Sequence, residues 1–327
     1  MFEETGLLGN VAVLIASLLS LNKASDITID NSVKVADVTG LTKTTVGFML
    51  VAFSTSLPEL SVAMFAAVGL ENIGVAVGNV LGSNIVNVCL ILGVCFLLLT
   101  SRNSAKVRLP QSFGREEARS LYFGIFIASI IPLTLIYIGY ASRFIGILLL
   151  MIFLFSTLQL LRKGDRKEKD PSIAERQKLT EPLYFTFLGA TGVMLSSYFI
   201  MESASFIAVN IGVPRVVIGA TIVAFGTSIP ELVTSIEATK KGHLDLALGN
   251  IVGSGFINTT CILGVALAGS LLNINMAAFS NLVTFSIITN LFLWYFLSNG
   301  KTSWREGVVL LFMYFFFLVM SFGGYRI

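Results

Sequence analysis

Two glutamates stand where this chain can least accommodate them. Glu59 lies in the run Val51–Leu60, Val-Ala-Phe-Ser-Thr-Ser-Leu-Pro-Glu-Leu, and Glu231 lies in Val223–Leu232, Val-Ala-Phe-Gly-Thr-Ser-Ile-Pro-Glu-Leu. An ionised side chain at the centre of a membrane helix costs roughly 2.5–3.5 kcal/mol on insertion scales. The proline beside each glutamate removes a helical hydrogen bond and clashes with the carbonyl four residues back. The same two costs at matching places point to a site, with Glu59 and Glu231 facing one cation at the middle of a bilayer. On a helical reading Ala52, Thr55, Ser56 and Glu59 share a stripe, as do Ala224, Thr227, Ser228 and Glu231. Pro58 and Pro230 should free backbone carbonyls near Ser54, Thr55 and their counterparts, and such carbonyls need a partner in lipid.

A second pair of motifs follows each of these. Gly-Asn-Val-Leu-Gly-Ser-Asn-Ile-Val-Asn spans 78–87, and Gly-Asn-Ile-Val-Gly-Ser-Gly-Phe-Ile-Asn spans 249–258. Ser83 and Asn87 are four residues apart and share a helix face, as do Ser254 and Asn258. Gly78 and Gly82 are expected to let a neighbouring backbone come close. The combined donor set is carboxylate, hydroxyl, amide oxygen and freed carbonyl, without imidazole or thiol. Hard oxygen ligands of this kind suit calcium, sodium or magnesium rather than zinc or copper.

The elements that position these residues are membrane spans. Of 327 residues 55% are apolar and only 13% charged, against about 25% charged in soluble domains. A span needs about 20 apolar residues, and ten such segments can be read along the chain. The first starts near Gly6 and runs into a more polar stretch, 25–38, read as a tilted or amphipathic extension in which Asp26, Asp30 and Asp37 are solvated. The others lie near 44–68, 73–99, 121–140, 143–161, 183–209, 216–239, 244–267, 277–297 and 307–322. The expected organisation is a five-helix repeat at 1–161, a hydrophilic cytoplasmic linker at 162–180 and a second five-helix repeat at 181–327. The first pair of motifs occupies 46–87 and the second 218–258.

Glu59 and Glu231 are 172 residues apart, and Ser83 and Ser254 are 171 apart. Equivalent positions are thus separated by five spans, an odd number, which turns one half upside down relative to the other. The fold class expected is an all-α polytopic membrane protein of two inverted five-helix repeats, with its site at their interface near the midplane. Arg102, Lys106, Arg108, Arg115, Arg119, the basic residues of 162–178, Lys43, Lys240, Lys241, Lys301 and Arg305 fall on one face in this scheme. That face is cytoplasmic by the positive-inside rule, which puts both termini outside a multi-pass protein of the cell membrane. The start Met-Phe-Glu-Glu lacks the basic region of a cleaved signal, so the first span is expected to remain. The net charge of +3 speaks to orientation and not to nucleic-acid binding. Cys89, Cys95 and Cys261 read as apolar packing, and His243 as an ordinary loop residue. Glu202 lacks a counterpart in the first half and reads as a gate-lining or snorkelling residue.

On the paired Ser-x-Pro-Glu and Gly-Asn-x-x-Gly-Ser motifs the chain resembles the sodium/calcium exchanger family of the calcium/cation antiporter superfamily over nearly its whole length. The resemblance implies that Glu59 and Glu231 coordinate calcium with the Thr55 and Thr227 carbonyls. It implies that sodium uses Ala52, Ser56, Ser83, Ala224, Thr227, Ser228 and Ser254 with the same glutamates, and that Asn87 and Asn258 complete the middle of the site. It implies too that spans one and six slide across the other eight. Ser54 stands where the family usually has glycine. Asn258 stands where some microbial and potassium-dependent relatives have aspartate, which argues against potassium cotransport. Gly82 and Gly253 stand where the proton-coupled branch usually carries an acid. The expected activity is therefore sodium-driven calcium antiport by a protein that works as a monomer in the bilayer, with the transported ions as ligands and no cofactor. Proton/calcium antiport through the same glutamates is the alternative. A cation channel fits one occluded site poorly, and a hydrolase would want a histidine nearer the glutamates than His243.

Overall fold

The computed structural model describes residues 6–68, 73–102, 107–108, 115–163, 179–210, 224–270, 274–299 and 301–323. Helix α1 runs unbroken over Gly6–Thr39 and absorbs the polar stretch that the sequence assigns to an extension. Four of its polar side chains bond back within the helix. Asn10, Thr28, Asn31 and Thr39 each donate to the carbonyl four residues back, at 2.8, 2.9, 2.8 and 2.6 Å. Asp26 and Asp30, one turn apart and expected to be solvated, both meet Lys241 Nζ at 2.8 Å. The three side chains keep considerable exposure, so the contact is worth little stability on its own.

The first motif does not form one helix kinked at Pro58. A short α2 (Lys43–Val46), N-capped by Thr42, passes through a π-helical turn at Gly47–Val51 into α3 (Ala52–Thr55). The chain breaks at Ser56 and restarts as α4 (Leu57–Ala67), bent by 47°. The break lies upstream of the proline for a steric reason. A proline ring fits the first turn of a helix, where its missing N–H has no intrahelical role, so Pro58 opens α4 instead of interrupting α3.

Helix α5 (Ile73–Ile85) then leads through a π turn at Val86–Ile91 into α6 (Leu92–Arg102), and α7 (Arg115–Ile138) and α8 (Arg143–Lys163) follow. In the second half come α9 (Thr180–Asn210), α10 (Ala224–Thr227) and α11 (Ile229–Lys240). The last run comprises α12 (Leu244–Ile257), a π turn at Asn258–Ile262, α13 (Leu263–Gly269), α14 (Ser280–Asn299) and α15 (Trp304–Gly323). Among the described residues six helices are long and apolar enough to cross a membrane, or seven with α2–α4 taken as one bent span.

Burial sorts these helices into a centre and a periphery. The runs 76–100 and 244–269 are 78% and 89% buried, against 22–39% for the other long apolar helices. The largest core cluster gathers around them, with Leu81, Ile91, Leu92, Phe96, Leu248, Ile251 and Ile262 fully enclosed. Exposed Phe144, Met151, Phe155, Trp294, Phe312 and Phe315 give α8, α14 and α15 an apolar exterior of the kind lipid requires. α1 and α9 pack mainly on each other. A Cβ at Gly189 would sit 2.5 Å from Thr28 Oγ1 and 2.8 Å from Thr28 N, so the two backbones touch.

Short strand pairs join loops at the two ends of the bundle. β1 (Val107–Arg108) pairs antiparallel with β4 (Lys301–Thr302), so the α6–α7 and α14–α15 connections share one face. β2 (Tyr140–Ala141) pairs with β3 (Ile274–Asn275), so the α7–α8 and α13–α14 connections share another. Lys43 Nζ lies 3.0 Å from His243 Nδ1, joining the α1–α2 and α11–α12 connections. Burial and the Lys43 charge hold the pKa of His243 below its ordinary value, so the ring accepts from the ammonium as a neutral base.

Close backbone approach is seen at Gly249 and Gly253. A Cβ at Gly249 would stand 2.2 Å from Thr44 O, and one at Gly253 2.4 Å from Phe48 O. Gly78 and Gly82, where close approach is expected from the sequence, have their repeat-related neighbours in 211–223, outside the described residues. Gly249→Ala should force α12 off α2 and cost about 1–3 kcal/mol, read as a lower thermal midpoint in detergent.

Candidate cation site

The breaks at Ser56 and Ser228 put each glutamate in the first turn of a new helix, Glu59 in α4 and Glu231 in α11. The N-terminal end of a helix favours negative charge by about 0.3–1 kcal/mol, and up to about 2 kcal/mol in partly buried settings. That offsets only part of the desolvation of a carboxylate that is 1% exposed, as both are. Among the described residues neither glutamate has a basic partner; the ion pairs there involve Lys240 and Lys241.

The neighbours come from both repeats, in reciprocal pairs. Ser56 Oγ donates to Glu231 Oε1 at 3.0 Å and lies 3.2 Å from Ser254 Oγ. Ser83 Oγ is 3.4 Å from Glu59 Oε1, and Ser228 Oγ is 3.3 Å from Ser83 Oγ. Thr55 Oγ1 lies 3.2 Å from Asn250 Oδ1, and Thr227 Oγ1 3.2 Å from Asn79 Oδ1. Exchanging the two repeats maps each serine–serine and threonine–asparagine contact onto the other.

Four acceptors in this cluster are left over. Glu59 Oε2, Glu231 Oε2, Asn87 Oδ1 and Asn258 Oδ1 are buried and have no hydrogen-bond partner among the described residues. An unmade buried acceptor costs about 1–3 kcal/mol, more when charged. All four are hard oxygens from four separate helical runs, and a cation bound among them would satisfy them together. The described residues hold no cluster of three or more His, Cys, Asp or Glu side chains, so a cation here would depend on neutral oxygens for the rest of its shell.

Of the residues singled out from the sequence, six form two triads that each draw on both repeats, Ser56 with Glu231 and Ser254, and Ser83 with Glu59 and Ser228. Thr55 and Thr227 contact Asn250 and Asn79, which lie four residues before Ser254 and Ser83. Asn87 and Asn258 lie in or open the π turns of the two central runs; such turns widen a helix and are frequent at functional sites. Ala52 is fully buried, with Gly253 against it, and Ala224 opens α10. Glu202 is half-buried on α9, outside these triads. The sequence reading passed over Asn79, Asn84 and Asn250. Asn79 and Asn250 carry a signal, since they lie four residues before Ser83 and Ser254, on the same helix face. Asn84 breaks the repeat: its counterpart is Gly255, and its Oδ1 accepts from Asn258 Nδ2 at 3.1 Å.

The family model described as sodium/calcium exchanger protein matches residues 9–161 and 181–323. The sodium/calcium exchanger MaX1 of Methanosarcina acetivorans is 31% identical, covering 96% of this chain and 98% of its own. The inner membrane protein YrbG of Escherichia coli is 29% identical over 78% of each chain. A solved structure of the sodium-calcium exchanger NCX_Mj superposes with a TM-score of 0.82 at 23% identity, covering 96% of this chain and 99% of that one. The overall fold is therefore that of an all-α polytopic exchanger.

The Asn84–Asn258 contact generates a test of the site's geometry. Asn84 Nδ2 is buried without a partner, so a carboxylate at 258 would find a donor waiting. Asn258→Asp should keep its thermal midpoint in saturating calcium. Asn258→Leu, which strands Asn84 Oδ1, should lose about 1–3 kcal/mol in the same melting experiment.

Proposed function

Because the chain belongs to the sodium/calcium exchanger family, we propose that it exchanges sodium for calcium across the membrane, with Glu59 and Glu231 holding the transported ion. The single observation that carries this reading is the set of four buried, unpartnered oxygens contributed by both repeats. Two carboxylates neutralise one calcium in a low-dielectric cavity, and the hydroxyls and amides around them can serve sodium when calcium has left. Calcium accepts six to eight oxygens in flexible geometry, whereas magnesium holds on to its waters.

The reading includes ten spans arranged as two inverted repeats, with both termini outside and a single protomer sufficient for transport. The reciprocal contacts at Ser56–Ser254 and Ser228–Ser83 support a two-fold relation between the halves. The loop pairings, β1 with β4 and β2 with β3, support an arrangement in which those connections lie at opposite ends. Exchange follows if the bundle switches between outward and inward states only when the carboxylates are charge-balanced, because sodium and calcium then compete for the same site and cannot leak past each other. That neither glutamate has a basic partner among the described residues supports that condition, since without an ion only neutral groups there meet the two carboxylates.

Calcium-45 uptake into proteoliposomes loaded with sodium, against matched vesicles loaded with choline, tests the proposal. Uptake should require internal sodium and should be indifferent to an imposed proton gradient. Uptake driven by protons in choline vesicles would replace sodium coupling with proton coupling at the same glutamates. In the same assay Asn258→Asp should alter the sodium or pH dependence, because it adds a third carboxylate to the middle of the site.

A further inference from the structure

We propose that Asn79 and Asn250 are positioning residues of the ion site: each takes the proton of a threonine hydroxyl from the opposite repeat and so turns that hydroxyl's lone pairs toward the ion. This inference rests on the cation site proposed above. Thr227 Oγ1 lies 3.2 Å from Asn79 Oδ1, and Thr55 Oγ1 lies 3.2 Å from Asn250 Oδ1. Each threonine directly precedes a serine of the carboxylate triads: Ser56 Oγ donates to Glu231 Oε1, and Ser228 Oγ lies 3.3 Å from Ser83 Oγ, which is itself 3.4 Å from Glu59 Oε1. Each threonine therefore stands beside both an amide oxygen and a carboxylate triad.

A hydroxyl has one proton and two lone pairs. Beside an empty carboxylate the proton points at the carboxylate. Once a cation sits there, the same proton meets positive charge while the oxygen is attracted to it. The proton must then turn to another acceptor: for Thr55 the Ala52 carbonyl lies at 3.3 Å and the Asn250 amide oxygen at 3.2 Å, and for Thr227 the Asn79 amide oxygen lies at 3.2 Å. An amide oxygen on the far side supplies one without bringing a second charge into the site.

The two asparagines are not held alike. Asn250 Nδ2 donates to Ser235 Oγ at 2.9 Å and to Thr234 Oγ1 at 3.3 Å. The equivalent positions in the first repeat are Val62 and Ala63, and among the described residues Asn79 Nδ2 is buried without a partner. Among those residues, removing Asn79 therefore strands no acceptor on its amide side and costs the acceptor it offers Thr227. That makes Asn79 the cleaner of the two to test.

The experiment is the calcium dependence of uptake into sodium-loaded proteoliposomes for wild type, Asn79→Leu, Thr227→Val and the double variant. Asn79→Leu should raise the half-saturating calcium concentration about tenfold, the scale of one lost hydrogen bond at the ion, with the maximal rate largely kept. Thr227→Val should do the same, and the double variant should be no worse than the poorer single one, because the asparagine acts only through that hydroxyl. Asn79→Asp, which keeps an acceptor, should stay within about threefold of wild type and serves if the leucine variant does not fold. Unchanged half-saturation in Asn79→Leu, a tenfold rise in Asn79→Asp, or effects that multiply in the double variant would overturn the proposal. A wild type without sodium-dependent uptake would instead remove the functional reading beneath it.

Discussion

The structure depends on two carboxylates buried in an apolar bundle with nothing basic beside them among the described residues. Burial of one ionised group after relaxation costs several kcal/mol, and a second of the same sign adds repulsion. Native chains meet this cost with a lysine or arginine, with protonation, or with a bound cation. At Glu59 and Glu231 the surroundings are hydroxyls, amides and helix ends. Those groups moderate the charge without cancelling it. The unpaired oxygens of Asn87 and Asn258 in the same region point the same way, since they too want a positive partner.

Much of the backbone can be understood as the means of delivering that cluster. The prolines open new helices, so that each glutamate begins one instead of lying within one. The π turns place Asn87 and Asn258 in the widened parts of the central runs. At Gly249 and Gly253 the α12 backbone lies directly on the segment that carries the first motif, bringing Asn250 within reach of Thr55. Exchange of contacts between repeats makes the site a property of the whole bundle. Neither half contains it.

The sequence carried the chemistry of the site further than its construction. Charge inside apolar runs and a repeat spacing of 171–172 residues single out Glu59 and Glu231 in the sequence, because placing a charge in lipid leaves a mark in composition. The break at Ser56 was only half legible. Pro58 announces an interruption, but whether it kinks one helix or opens another depends on what the freed groups meet in three dimensions. Gly78 and Gly249 look identical in their motifs, yet only Gly249 has a backbone against it among the described residues, a fact of packing with no local signature. Asn79, Asn84 and Asn250 lie inside the same motifs without such a mark, because a neutral amide in a helix does not stand out in composition. Their roles emerge only with the partners across the interface. The unbroken α1 is similar: its asparagines and threonines look like breakers in sequence and act as self-satisfied helix residues in the fold.

The central claim is that one cation site is shared by both glutamates, and calorimetric titration of the purified protein with calcium tests it most directly. The account requires one calcium per chain, displaced by sodium, and lost on Glu59→Gln alone and on Glu231→Gln alone. Two calcium ions per chain, each surviving the loss of the other repeat's glutamate, would contradict it.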